Sequence, residues 1–428
     1  MNTSQLPRSG DQHSLEYIAH QLRIPKVGQE LCTDWEAALQ TSPTQARSFF
    51  DALYITKAAH EVGLTEDMIE SLVAFSQRTV ADDNILAFFS YCRHRVLHDP
   101  TLVTSWEEQW PPLDDYLGPD AGLLNVLVML SAVQEMRNTY QRLGIPETIV
   151  RDTVADLRRW METDLYYLRF QRYGITPWIA RWLCKHWQAR ILQLGRLQFV
   201  LDTFGLPLRA FRNRRSRALI VFPESGQLFD STGGAYGPCC GNEAGSWISS
   251  LDNGDGFVVG HPISGDGKTQ RQPIRLDLSE WELELKKGDN ILGVSIPVGG
   301  PLTHEACGES FRRALDVFPQ YFPDFTFKGL WIKSWLLDPR FDGMLPPDSN
   351  IVRLQRELFL YPGIQGDNAQ IYNRVFGWGV NDLSNAPRNS SLQKTVAHYL
   401  EKGGHFHGGY AFMMKEDFNW GGQVYRQS

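Results

Sequence analysis

The chain has no apolar run of membrane-spanning length, no paired cysteines and no excess of positive charge. Its longest apolar stretch, residues 121–133 (AGLLNVLVMLSAV), is interrupted by Asn125 and Ser131 and falls well short of the roughly 20 residues that span a bilayer. It reads as a buried helix, and a membrane partner is not expected. The opening MNTSQLPRSGDQHS is polar and lacks the apolar core of a secretion signal. Six cysteines stand at 32, 92, 184, 239, 240 and 307 without a CxxC pair. Neither zinc nor a disulfide framework is expected, and reduced thiols in a cytoplasmic protein are the simpler reading. A formal net charge of -7 speaks against nucleic acid as a partner.

What is present is an ordinary globular composition, 42% hydrophobic and 21% charged over 428 residues, too long a chain for one typical core. Up to about Phe204 the apolar residues recur at helical spacing, as in Phe49, Leu53, Ile55, Ala59 and Val62, or Leu183, Trp187, Ile191 and Leu194. After about Phe211 the pattern changes. RALIVFPE, DGFVVGHPI and PIRLDLSEWELELKKGDNILGVSIPV read as strands between turn signals. Helices and strands then alternate: a helix over THEACGESFRRALDVFPQYF, a strand over FKGLWIKSWLLDP and a short helix over SNIVRLQRELFLYP. A strand over IYNRVFGWGV, a helix over SLQKTVAHYLEKGG and a last strand over HFHGGYAFMMK complete the series. The expected fold class is α+β, an all-helical domain over residues 1–205 followed by a mixed-sheet domain flanked by helices over 206–428.

Positive charge is concentrated between Arg151 and Arg217, where 14 Lys and Arg stand against 5 Asp and Glu. These arginines are expected to solvate helix faces and pair with the acidic remainder. The functional alternative gives Arg212, Arg214 and Arg215 the phosphates of a ligand.

The most informative stretch is a strand, ILGVSIPV, then Gly299-Gly300, then a helix with Thr303 as its N-cap. Free amides at such a helix start favour an anion, and glycines permit close approach. A plain turn is the competing reading. Other clusters carry weaker signals. His405 and His407 share a strand face without a third ligand, so no metal is expected there. Cys92, His94 and His98 lie on one helix without the glutamate of a zinc-protease motif. Cys239-Cys240 has no activating neighbour, and LDNGDGF lacks the bidentate Glu of a calcium loop.

The stretches ILQLGRLQF, DLSEWELELKKGDNILGVSIPVGGPL, SWLLDPRF and LPPDSNIVRLQRELF resemble a bacterial acyltransferase family. Its members join a helical N-acyltransferase N-terminal domain to a GNAT-like C-terminal domain. The resemblance implies transfer of an acyl group from a thioester, acyl-CoA or acyl-carrier protein as co-substrate, to a small-molecule or peptide amine. No tightly bound cofactor is implied. The strand ending at Val298 then corresponds to the fourth GNAT strand and FKGLWIKSWLLDP to the fifth, with the acyl-pantetheine arm between them. Backbone groups of Ile296 and Val298 would bond the pantetheine amides. Gly299, Gly300 and the amides near Thr303 would face the pyrophosphate, and Ser349 and Asn350 would lie beside the donor.

Two departures from the family pattern stand out. PVGGPL lacks the Gln or Arg that usually precedes the glycines, and Ser295 occupies a position where the family often has histidine. Serine cannot serve as the base. Ser334 and Asp338 lie on or after the fifth strand across from Ser295, with Asp338 the candidate base, and Tyr361 is a candidate proton donor to the leaving thiolate. The alternative class is a GNAT-shaped binding or sensing module without turnover.

Overall fold

The computed structural model describes residues 14–24, 35, 38, 43–98, 110–235, 244–365, 368–377 and 379–426. The chain forms two compact units that divide between Gln193 and Leu194.

The described residues of the first unit are helical up to Trp187. The helix Ala121–Ser131 is buried at every position. Its one amide side chain, Asn125, is satisfied inside the core, accepting from Trp110 Nε1 at 2.9 Å and donating to the Ile175 carbonyl at 2.8 Å. No single helix among the described residues is long and apolar enough to cross a membrane.

The chain then forms a mixed sheet whose strands are β1 (Ile191–Leu194), which spans the division, β2 (Leu197–Thr203), β3 (Asn290–Ser295), β4 (Gly329–Ser334), β5 (Phe359–Gln365) and β6 (His407–Met414). Their spatial order is β1-β2-β3-β4-β6-β5. Among the strand pairs from β2 to β5 whose register is described, β3 and β4 run parallel; β2 and β6 flank them antiparallel, and β5 follows β6. The crossover from β3 to β4 contains helix α1 (His304–Tyr321), as parallel neighbours require. Helices α2 (Asn350–Arg356) and α3 (Ser391–Glu401) follow β4 and β5. Three smaller antiparallel sheets occupy the excursion between β2 and β3, one core of which is Phe211, Phe222, Leu251, Val258 and Leu276.

Two segments differ from the sequence expectation. Residues 191–203 are not the end of a helix but strands β1 and β2, turning at Gly195 with φ 73°. Burial on both sides gives such strands an unbroken apolar run, which periodicity cannot tell from a helix. Conversely, IYNRVFGWGV is not a strand. Tyr372–Phe376 forms a π-helical turn that packs Val375 and Phe376 against Val396, Ala397 and Leu400; tertiary burial overrides the β-propensity of its residues. The expected helix over SNIVRLQRELFLYP also stops early, at Arg356, and Phe359 begins β5.

Candidate functional site

The site begins where β3 and β4 part. Their shared ladder pairs Leu292 with Leu330, Gly293 with Trp331 and Val294 with Ile332, and ends there. Both strands continue, but outward: Ser295 pairs with Gln198 of β2, and Lys333 and Ser334 pair with Tyr410 and Gly409 of β6. The carboxyl ends of two parallel neighbours therefore face a gap, with backbone groups on both lips free to bond an inserted chain. Among the described residues, Ile296 and Val298 make no backbone hydrogen bond outside the ladders. Val298 is 53% exposed, high for a valine.

The loop beyond the gap is open yet held. A Cβ on Gly299 or Gly300 would meet nothing within 4 Å, so the glycines leave room above the backbone. Arg196, in the β1–β2 turn, fastens the loop from below. Its Nε donates to the Gly300 carbonyl at 2.7 Å and its Nη1 to the Pro297 carbonyl at 2.9 Å, while its own amide donates to Ser310 Oγ at 2.9 Å. Sequence reasoning missed Arg196, because its partners lie about a hundred residues away and no local pattern marks it.

Helix α1 then starts as expected. Thr303 is its N-cap, with extended backbone and Oγ1 accepting from the Ala306 amide at 3.2 Å. The helix dipole makes this end attractive to anions. One carboxylate is already there: the exposed Glu305 is held below the usual carboxylate range by its own backbone amide and by Arg353. Beside it, His304 Nε2 lies 2.9 Å from Oε1 of the buried Glu357, whose Oε2 accepts from the Gly421 amide at 2.9 Å. Trp420 Nε1 donates to the His304 carbonyl at 2.9 Å. Its indole leaves no space for a side chain at Gly308, where a Cβ would sit 2.4 Å away. Cys307, one turn into α1, is buried, and burial pushes its thiol up to about 11, which makes it a poor nucleophile.

The expected catalytic residues are dispersed. Ser295 is half-buried at the end of β3, on the sheet face that carries Gly293, Trp331 and Lys333. Ser334 belongs to the opposite face, and its hydroxyl accepts from the Leu336 amide at 3.2 Å. Asp338 is fully buried, its Oδ1 accepting from Arg340 Nε at 2.8 Å and from the Arg340 amide at 3.0 Å, and its Oδ2 from Arg340 Nη2. This carboxylate is committed to an ion pair that shapes the turn after β4. Ser349 caps α2, accepting from the Val352 amide at 3.4 Å, with Asn350 as the first helical residue. The contacts of α2 with the start of α1 come from Arg353 and Glu357, so the Ser349-Asn350 end lies about 5 Å from the first and about 10 Å from the second along the helix axis.

Tyr361 lies on β5, two strands beyond β4 in the sheet, about 10 Å from it at ordinary strand spacing. That is too far to reach a thiolate between β3 and β4.

The remaining candidates resolve simply. Arg212 is buried between Glu284 and Asp417, and Arg214 pairs with Glu282 at 2.7 Å, so neither awaits a ligand phosphate. His94 and His98 lie against each other with ring centroids 4.6 Å apart and planes tilted by 43°. Cys239-Cys240 and the His407 side chain lie outside the described residues. No group of three or more His, Cys, Asp or Glu suited to a metal occurs among the described residues.

Comparison with known proteins adds independent findings. Residues 191–413 match the GNAT-like C-terminal domain and residues 54–189 the N-acyltransferase N-terminal domain. No curated protein matches the chain in sequence. Among solved structures, an acyltransferase in complex with decanoyl-CoA and teicoplanin is similar at a TM-score of 0.61 and 20% identity, covering 93% of this chain and 98% of that one. An acyltransferase in complex with CoA and 10C-teicoplanin gives 0.60 and 20% with the same coverage. An acyltransferase mutant in complex with octanoyl-CoA gives 0.57 and 21%, covering 84% of this chain and 87% of that one. At this identity the likeness shows a shared fold.

Proposed function

The chain belongs to the N-acyltransferase family with a GNAT-like C-terminal domain, and from that premise we propose that it transfers an acyl group from acyl-CoA to an amine. The observation that carries the proposal is the parting of β3 and β4 after Val294 and Ile332, directly before an open glycine loop and a capped helix start. The similar solved acyltransferases hold acyl-CoA or CoA, which favours CoA over a carrier protein as donor.

In this reading the pantetheine arm lies in the gap as an added strand, its amides bonded by backbone groups of Ile296 and Val298. Gly299, Gly300 and the first amides of α1 behind Thr303 face the pyrophosphate. Arg196 holds the loop that does this. The acceptor nitrogen attacks the thioester carbon, a C–N bond forms, and the C–S bond breaks. The thiolate leaves and takes a proton from solvent; the nitrogen loses one to water. In this reading the Ser295 hydroxyl donates to the developing oxyanion. With Asp338 committed to Arg340, no carboxylate of the expected set is free to act as base. Catalysis then rests on positioning.

The same two facts, Ser295 in place of a base and Asp338 tied up, favour a second reading as a binding module without turnover. Calorimetry against CoA, octanoyl-CoA and decanoyl-CoA, with thiol release followed in the presence of amines including teicoplanin, separates the two. Binding with thiol release supports the transferase. Binding without release from any donor supports the module, and no binding of any CoA species defeats both.

A further inference from the structure

A second cavity in this unit, about 250 Å³, lies over the sheet face that carries Ser295. The register creates its floor. Lys333 of β4 pairs with Tyr410 of β6, which pairs with Tyr361 of β5, so three adjacent strands place these side chains in a row. Trp331, two residues before Lys333, lies on the same face. Its indole is fixed by a hydrogen bond from Nε1 to Asp202 Oδ2 at 3.1 Å and by the edge of Phe204. Leu206, Leu228 and Phe229 form the apolar roof.

Two polar groups in this aromatic setting, the exposed Lys333 and the buried Tyr361, have no polar protein partner among the described residues. Lys333 sits 5.7 Å from the centroid of the Tyr410 ring and pairs with no carboxylate among the described residues. Tyr361 is only 4% exposed and lines the cavity, yet its hydroxyl has no hydrogen-bond partner among the described residues. Burial and the neighbouring Tyr410 raise this phenol, so it stays a donor. Polar groups of buried side chains are normally satisfied, and the Tyr361 hydroxyl, unpartnered at the cavity wall beside the solvent-facing Lys333 ammonium, is open to an acceptor atom or an anion. Lys333 is also the first residue of β4 past its last pair with β3. Lys333 therefore belongs both to the cavity lining and to the lip of the thioester gap.

We propose that this cavity is the acceptor site, and that it takes an aromatic ring bearing a carboxylate: the ring packs on Trp331 and Tyr410, and Lys333 and Tyr361 bind the carboxylate. The proposal rests on the acyl-transfer reading above. A cavity of about 150 Å³ holds benzene, so this one accommodates a ring with a short acidic arm. An aliphatic acyl tail is the poorer occupant, because it would desolvate the ammonium and the phenol without bonding either.

The test uses 3-phenylpropanoate, its amide and CoA as probes on the full chain, by ligand-observed NMR and calorimetry. 3-Phenylpropanoate binds wild type, the amide binds about tenfold more weakly, and Lys333→Gln and Tyr361→Phe weaken the acid by about tenfold and about threefold. Both variants keep the far-ultraviolet circular dichroism and the melting transition of wild type, which shows that they are folded. The proposal is overturned if the acid does not bind wild type at about 10 mM, or if Lys333→Gln binds it unchanged. It is likewise overturned if decanoyl-CoA displaces it while CoA does not, since the cavity then houses the acyl tail. Failure of CoA to bind any of the proteins is a separate result that strikes the donor reading alone.

Discussion

Arg196 illustrates how one side chain sets the shape of a binding loop without touching a ligand. Its guanidinium reaches two carbonyls three residues apart, at Pro297 and Gly300, and so fixes the direction in which the intervening amides point. Hydrogen bonds from a charged donor contribute about 1.5–3 kcal/mol each, but part of that is recovered by water once the loop frees itself. Arg196→Ala is expected to weaken CoA binding by about tenfold, read by calorimetry, with a smaller effect on the rate at saturating donor. Glu305 acts in the opposite sense. Its carboxylate occupies the helix end that a pyrophosphate would use, so Glu305→Gln should tighten CoA binding about two- to fivefold at low salt. That gain should shrink as ionic strength rises, a dependence that titrations at several salt concentrations measure. At this scale the sequence was only partly legible. Thr303 could be recognised as a cap because capping is local. Asp338 could not be recognised as occupied, although its partner Arg340 is two residues on, because the pairing depends on the turn that buries both.

At the scale of elements, the gap exists because each strand keeps a different outer neighbour after their common ladder ends. Helix α1 must then start at a defined point to close the loop, and Thr303 supplies it. Thr303→Ala is expected to cost about 1 kcal/mol and lower the melting temperature by about 2–4 °C, with Thr303→Ser restoring most of it; calorimetric melting checks both. The strands and helices from Ile274 to Tyr321 were readable from alternation, turn residues and caps. Residues 191–203 were not, since a strand buried on both faces and a helix with a broad apolar face present the same composition. The turn at Tyr372–Phe376 was hidden for the converse reason, as Val375 and Phe376 carry strand propensity but are held by α3. The gap itself was legible only through family resemblance, because no local signal in VSIPV or WIKSW says which strand each will pair with.

Over the whole molecule, part of the positive surplus of residues 151–217 is spent on acids elsewhere in the chain. Arg209 pairs with Glu224, Arg214 and Arg217 with Glu282, and Arg212 with Glu284 and Asp417. The C-terminal segment is tied in by the same means, through Asp417 to Arg212, Gly421 to Glu357 and Arg426 to the Gln355 carbonyl. Arg212→Met removes one cation from between two partly buried carboxylates and is expected to destabilise the fold by about 3 kcal/mol near neutral pH. Urea unfolding reads the loss as a lower midpoint. An unchanged midpoint would contradict the stabilising role given to this pair of carboxylates and their shared arginine.

Whether β3 and β4 receive the donor between them is decided by a crystal structure of the chain with decanoyl-CoA bound. The pantetheine arm should lie between Ser295–Val298 and Lys333–Ser334, its amides bonded to Ile296 and Val298, with the pyrophosphate over Gly299, Gly300 and the first turn of α1. Decanoyl-CoA bound elsewhere on the chain, with β3 and β4 joined by an unbroken ladder to their ends, would contradict it.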